Sequence, residues 1–323
     1  MQFADAASVR PPTWGLFIIG GRDENKYSCD DSVRRFVDGE ATIHHPSMND
    51  EWFHSVVVQC DNYIVMIGGF TPDRVAGESL VTHTFDMDEA VIVPTTVSFS
   101  PADLGEAAGI RESAAAVSIP AALLDPEAPS SASVVVVTGG CHMPAEAGIV
   151  SRRTCVLFDP ARRSAVRLPD MTFRRYHHAL VVFNGVLVAI GGTWHRQPYT
   201  PGYCAEQYDP AIKEWKPFPE PPKCYEFTSA AVVEVNGHEA IYVLSCDDGM
   251  FHMFNGHEWA LVVTIPRELP CFDEIFGLGN VIVTVSRAHK CIYTLDTADN
   301  TWTRSCDEFD EYLEDAAIAL FVI

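Results

Sequence analysis

The chain has 323 residues, 47% of them hydrophobic and 20% charged, which is ample for packed cores and too apolar for a disordered chain. Its 44 Asp and Glu outweigh 22 Lys and Arg, giving a formal net charge of −22. Such a field repels phosphate backbones and anionic lipid, so nucleic acid and membrane surfaces are set aside as partners.

The predicted elements begin at Leu16-Phe-Ile-Ile-Gly-Gly21, a short β-branched and aromatic strand stopped by a glycine doublet. A buried strand that runs into a turn needing positive φ has this form. The construction returns at Tyr63-Ile-Val-Met-Ile-Gly-Gly69, at Val134-Val-Val-Val-Thr-Gly-Gly140 and at Val186-Leu-Val-Ala-Ile-Gly-Gly192. Downstream of each doublet stands an aromatic residue, mostly followed by Asp: Phe36, Phe85-Asp86, Phe158-Asp159 and Tyr208-Asp209. Two further units, with Phe254-Asn255 and Leu295-Asp296, keep the strands (Ala240 to Val243, Val281 to Val285) but place Leu244-Ser-Cys246 and Val285-Ser286 where the glycines stood. Trp215, Trp259 and Trp302 recur at one position of the last three units and are expected to pack between units. The third unit is long, with inserts around Ser98 to Ala108 and Ile119 to Ser131; their prolines and small residues mark surface loops.

A strand, a Gly-Gly doublet and spaced aromatics at about 50 residues per unit resemble the kelch repeat. The resemblance spans nearly the whole chain and implies an all-β fold: a six-bladed β-propeller with helix nearly absent and a central channel. The single domain, 1–323, divides into blade one from 14–48 plus 312–323, blade two 51–95, blade three 109–168, blade four 173–218, blade five 224–265 and blade six 270–306. The first unit lacks the strand that precedes the doublet elsewhere, and the chain ends on Asp315-Ala-Ala-Ile-Ala-Leu-Phe-Val-Ile323. The C-terminal strand is therefore expected to complete the N-terminal blade and close the ring, removing two open edges.

Catalytic motifs are sparse. There is no G-x-S-x-G elbow and no H-E-x-x-H. His44-His45 and His177-His178 are neighbours on extended chain, pointing to opposite faces, so neither pair chelates one ion. No metal, cofactor or catalytic residue is expected. No apolar run reaches the roughly 18 residues of a spanning helix, Met1 to Arg10 does not read as an export signal, and the ten cysteines form no C-x-x-C pair. Free thiols in a reducing cytoplasm, and a cytoplasmic location, are the expectation.

Some kelch-like propellers are enzymes, among them copper-radical oxidases, a sialate mutarotase and plant specifier proteins. Most bind a protein, and several adaptors hold acidic peptides with arginines placed sixteen residues ahead of the doublet. The resemblance therefore implies a non-catalytic interaction module, an adaptor or scaffold and a monomeric propeller. The alternative is a small-molecule or sugar-processing enzyme of the mutarotase or specifier type. Counting back from the doublets, and aligning the strands where the glycines are missing, puts Arg111, Arg175, Trp52, Glu226 and Tyr312 at the channel mouth, with Asp273 or Glu274 nearest in the sixth unit. The loop after the fourth doublet adds Trp194 and Arg196. Arg111, Arg175 and Arg196 are expected to form a positive spot for an acidic peptide or carboxylate, which a guanidinium fork suits. Trp52 and Trp194 either flank that ligand or pack against neighbouring loops. Glu226 either selects a basic or neutral group opposite, or neutralises the arginines with its acidic neighbours.

Overall fold

A computed structural model of the chain describes residues 14–19, 33–37, 40–45, 55–68, 79–87, 91–98, 113–124, 132–142, 149–193, 204–223, 225–245, 249–265, 272–286, 289, 291–306 and 317–322. Tight turns set its strand spacing. Asn184-Gly185 and Asn236-Gly237 both take positive φ (48° and 74°, 53° and 79°), the backbone of a two-residue hairpin whose twist matches its strands. The aromatic-Asp signature is a second turn device. Asp159 Oδ1 accepts the Arg162 amide (2.8 Å), Asp209 Oδ1 that of Ala211 (3.0 Å) and Asp296 Oδ1 that of Ala298 (2.9 Å). Asn255 Oδ1 takes two, from His257 and Glu258. The side chain thus stands in for a backbone acceptor and starts the turn. The aromatic residue before it goes inward.

These turns fold the described chain into six four-stranded antiparallel sheets and one two-stranded ribbon. In the first sheet β1 (Trp14–Ile19), β2 (Val33–Val37) and β3 (Glu40–His45) follow one another, and β26 (Ala317–Val322) lies on the other side of β1. Trp14 faces Val322 and Ile19 faces Ala317 in that last pairing. The second sheet is β4 (Val56–Cys60), β5 (Tyr63–Ile67), β6 (Ser79–Asp86) and β7 (Val91–Ser98). The third is β8 (Ala115–Pro120), β9 (Ser133–Thr138), β12 (Cys155–Asp159) and β13 (Ser164–Leu168). Between β9 and β12, Cys141–His142 (β10) and Val150–Ser151 (β11) pair as a ribbon rising from the third doublet. The fourth comprises β14 (Ala179–Phe183), β15 (Val186–Ile190), β16 (Ala205–Asp209) and β17 (Glu214–Pro217). The fifth comprises β18 (Thr228–Val235), β19 (His238–Ser245), β20 (Met250–Phe254) and β21 (Trp259–Thr264), and the sixth β22 (Glu274–Leu278), β23 (Val281–Ser286), β24 (Cys291–Asp296) and β25 (Thr301–Cys306). One 3-10 turn, Ala121–Leu123, is the helical element among the described residues, and it starts the predicted insert after β8.

The chain is an all-β propeller. Its first strands, β4, β8, β14, β18 and β22, together with β26, line one central cavity. Cores lie between successive sheets: Val65, Val137 and Phe158 between the second and third, Leu180, Ala189 and Trp215 with Ile119 and Val136 between the third and fourth. The recurrent tryptophans work there, as expected. Trp215 Nε1 donates to Pro169 O (3.1 Å) and Trp259 Nε1 to Pro219 O (2.9 Å), each tying an outer strand to the end of the preceding sheet. Trp302 stacks on Phe272 at 5.4 Å. The doublets are a matter of space as well as dihedral. Gly139 has φ +60°, and a Cβ there would overlap the carbonyl oxygen of Arg175.

One expectation is corrected. Cys60, Cys141, Cys155 and Cys291 are free and buried, but Cys204 is disulfide-bonded, to a partner outside the residues whose side chains are described.

Candidate binding face at the channel mouth

The cavity has a volume of about 790 Å³. At the doublet end its rim carries Ser55, Ser113, His177, Phe227, Thr228 and Asp273, the residues that lead into or open the inner strands. Two carboxylates, Asp273 and Glu274, and two histidines line it, with no Lys or Arg among the described lining. The sixth sheet approaches the axis closely through Gly277, where a Cβ would run into the carbonyl oxygen of Val232 on β18.

The segment leading into β14 shows how the mouth is built. Arg175 N donates to Arg152 O (2.8 Å), and Gly140 N to Arg175 O (2.8 Å), which fastens the segment to the third sheet's doublet. Tyr176 and Thr193 exchange backbone hydrogen bonds of 3.2 and 2.8 Å, which fastens it to the loop after the fourth doublet. Lead-in segment and doublet loop thus share one face, as the alternation of strands requires.

Arg175 lies there, but its side chain points inward. It is 0% exposed; Nε donates to Glu206 Oε1 (3.0 Å) and Nη1 to Gly191 O (2.7 Å). Glu206 is 1% exposed and its other oxygen accepts the Thr172 amide (2.8 Å). Burial pulls the guanidinium below the ordinary arginine range, while the charge and hydrogen bond of Glu206 oppose the shift. The expectation of a ligand-facing Arg175 is therefore corrected: its charge is consumed inside the fourth sheet, by a carboxylate on β16, 31 residues along the chain.

Strand register corrects a second assignment. Arg175 stands four residues before Ala179, which faces Ile190 just ahead of the doublet. In the fifth sheet Ser229 faces Leu244, so the matching residue is Tyr225 rather than Glu226. The backbone agrees, since Gly192 N donates to Tyr225 O (2.9 Å) as Gly140 N does to Arg175 O. Tyr225 is buried like Arg175, and its hydroxyl pairs with His252 Nδ1 at 2.7 Å, across the sheet where Glu206 stands in the fourth. Glu226 is exposed, and its carbonyl accepts the Thr193 hydroxyl (2.9 Å). Trp52, Arg111, Trp194, Arg196 and Tyr312 lie outside the described residues.

A residue that sequence reasoning missed stands at the rim. Phe227 is 47% exposed, and its ring centroid is 4.5 Å from that of His177, itself 5.1 Å from Tyr176. Its signal was present: a large apolar residue in Tyr225-Glu-Phe-Thr228, ahead of the strand pattern. His177 takes φ +54°, so the pair does not lie on the regular extended chain expected from the sequence. His178 is buried between the sheets and shares a 2.8 Å hydrogen bond with Thr138 Oγ1. Burial, reinforced by the Arg175 and His177 charges, pushes it down to about 3, so the ring is neutral. Among the described residues no three His, Cys, Asp or Glu side chains are grouped to hold a metal ion, and no helix is long and apolar enough to cross a membrane.

Doublets, turn aspartates, tryptophan ties and a strand-lined cavity define a β-propeller that carries a kelch motif: residues 174–222 match the Kelch motif family. Beta-scruin of Limulus polyphemus is 33% identical over 92 residues, 27% of this chain and only 10% of that protein's length. A solved structure described as "Structure of YjhT" is 15% identical with a TM-score of 0.54, covering 82% of this chain and 86% of that one. That likeness is one of fold.

Proposed function

We propose that the chain is a protein-interaction module, an adaptor or scaffold, that takes a partner's peptide or loop at the channel mouth. The observation that carries this is Phe227, an aromatic side chain left 47% exposed at the rim and propped by His177. Aromatic residues desolvated at the centre of a contact supply much of its energy. Arg111 is proposed to meet an acidic side chain or C-terminal carboxylate beside it, with Arg196, and with Trp52 and Trp194 flanking. The support is a comparison of registers. Val137 faces Val156 where, in the fourth sheet, Ala189 faces Glu206, so the carboxylate that consumes Arg175 has no counterpart for Arg111. Glu226, exposed on the far side of His177, selects a basic or neutral group, and Tyr312 completes the rim.

The reading includes a single-domain, six-bladed ring with the blade boundaries given above. Its support is the sheet order, in which β26 adds the innermost strand to the sheet of β1 to β3. It also includes a monomeric protein, and a location in the cytoplasm for which the four free buried thiols speak and the Cys204 disulfide does not. A small-molecule ligand is the second reading, favoured by the cavity itself: about 790 Å³ lies within the range of small-ligand sites, and serines, histidines and carboxylates line it.

Quantitative affinity capture with the wild type, Arg111→Ala/Phe227→Ala and a control at the 59% exposed Ile212, Ile212→Ala, separates the readings. The module predicts protein partners retained by the control and reduced at least tenfold by the mouth variant, with melting within a degree or two of the wild type. A small molecule released on denaturation, with protein capture equal in all three, would establish the second reading instead.

A further inference from the structure

The outer edge of the third sheet carries a charge anomaly that the mouth does not use. Residues 152–175 contain seven arginines (Arg152, Arg153, Arg162, Arg163, Arg167, Arg174 and Arg175) and two aspartates, Asp159 and Asp170, a local charge of +5. The other residues hold 22 − 7 = 15 basic against 44 − 2 = 42 acidic side chains, or −27. Four of these arginines, Arg153, Arg162, Arg163 and Arg167, lie on or beside β12 and β13 with both aspartates, so the outer edge of this blade carries +2 on a strongly negative protein. Arg175 is neutralised by Glu206 and Arg152 is buried, but the others reach solvent. Arg162 is 70% exposed beside Asp159 (2.7 Å), and Arg153, 54% exposed, shares Asp170 with Arg167 at 3.4 and 2.8 Å.

These side chains flank β13, which pairs with β12 on one side and ends its sheet on the other among the described residues. Such an edge presents backbone donors and acceptors to an incoming strand. Val166, 55% exposed, stands between Ser164 and Arg167 and offers an apolar contact in alternation with the charges.

We propose that β13 is a docking edge for an extended acidic segment of a partner protein, which adds a fifth strand to this blade and sets its carboxylates against Arg153, Arg162, Arg163 and Arg167. Strand addition supplies affinity through the main chain and specificity through alternate side chains; bidentate arginine–carboxylate pairs suit the charge. The −27 over the rest of the chain biases where such a segment lands, because a negative field opposes an acidic segment elsewhere. The surface lies three strands out from the inner strand, roughly 14 Å at strand spacing, and is independent of the mouth. A scaffold needs two such surfaces.

The test uses the full chain and a fluorescent decapeptide of alternating Glu and Val, followed by anisotropy. Saturable binding is expected, weakened at least tenfold (about 1.4 kcal/mol) by Arg162→Gln/Arg163→Asn/Arg167→Gln. Asn is used at 163 because Arg163 has φ +52°. On the wild type, the same peptide N-methylated at alternate residues should also bind at least tenfold more weakly, a comparison that needs no folded variant. Phe227→Ala should leave the peptide's affinity unchanged. Absence of saturable binding, or equal binding of the N-methylated peptide, overturns the proposal. So does loss of binding in Phe227→Ala, which would assign the peptide to the mouth, and so does a triple variant that only self-associates, which would make the arginines guards of a bare edge.

Discussion

Arg175 shows why a residue's address does not fix its role. It occupies the place where related propellers present arginine to a ligand, yet Glu206 and two backbone carbonyls hold it at 0% exposure. Removing one partner of a buried pair leaves the other charged and unsolvated, so Arg175→Ala and Glu206→Ala should each cost about 3–5 kcal/mol. Arg175→Met/Glu206→Leu should recover most of that, and urea unfolding of the four proteins would show it. His178 sets a pH dependence. Its native value of about 3 lies below the ordinary 6.5, so the unfolded chain takes up a proton in this window that the native ring refuses. Stability must then fall as pH drops from 6.5 towards 3, with this group's slope approaching about 1.4 kcal/mol per pH unit. His178→Gln should show a shallower loss over that window than the wild type; parallel curves would remove His178 from the account. The sequence pointed to Arg175 by counting from Gly191, but Glu206 is a lone acidic residue in an ordinary strand and only the pairing of β15 with β16 brings it under the guanidinium. Phe227 was passed over for a related reason: an apolar residue beside a strand reads as core until the strand's inward face is known.

At the scale of elements the chain was far more legible. The doublets, the turn aspartates and the tryptophans are local signals that recur, and their repetition filters out chance: Asp159, Asp209 and Asp296 start the same turn in three sheets. Where the signals thin, register slips, as with Glu226 taken for Tyr225 once Leu244-Ser-Cys246 replaced the glycines. The disulfide at Cys204 was illegible, since nothing local marks it. The pairing of β26 with β1 carries a prediction of its own. Ile318 is 4% exposed and Leu320 is half-buried against the channel, so deleting 316–323 forfeits at least about 3 kcal/mol of apolar burial and bares one edge of β1. Melting should drop by more than about 4 °C for a chain of this size. A truncated protein that melts with the intact one would mean that β26 contributes nothing to the ring.

Across the whole molecule, a −22 charge, a cavity lined by six inner strands and an aromatic at its rim describe a frame whose described exposed aromatic lies at the doublet end. The −22 charge made nucleic acid and anionic lipid poor candidate partners, and the repeat supplied the frame; what the frame holds depends on loops, which no repeat encodes. Docking at the mouth, as proposed, would order the segments that lead into the inner strands. Hydrogen–deuterium exchange of the propeller, alone and with a captured partner, reads that directly. The account predicts slowed exchange in peptides spanning 111–118, 173–180 and 225–231, with the outer strands β17 and β25 unchanged. Protection confined to outer strands, with those three spans exchanging as in the free protein, would contradict it.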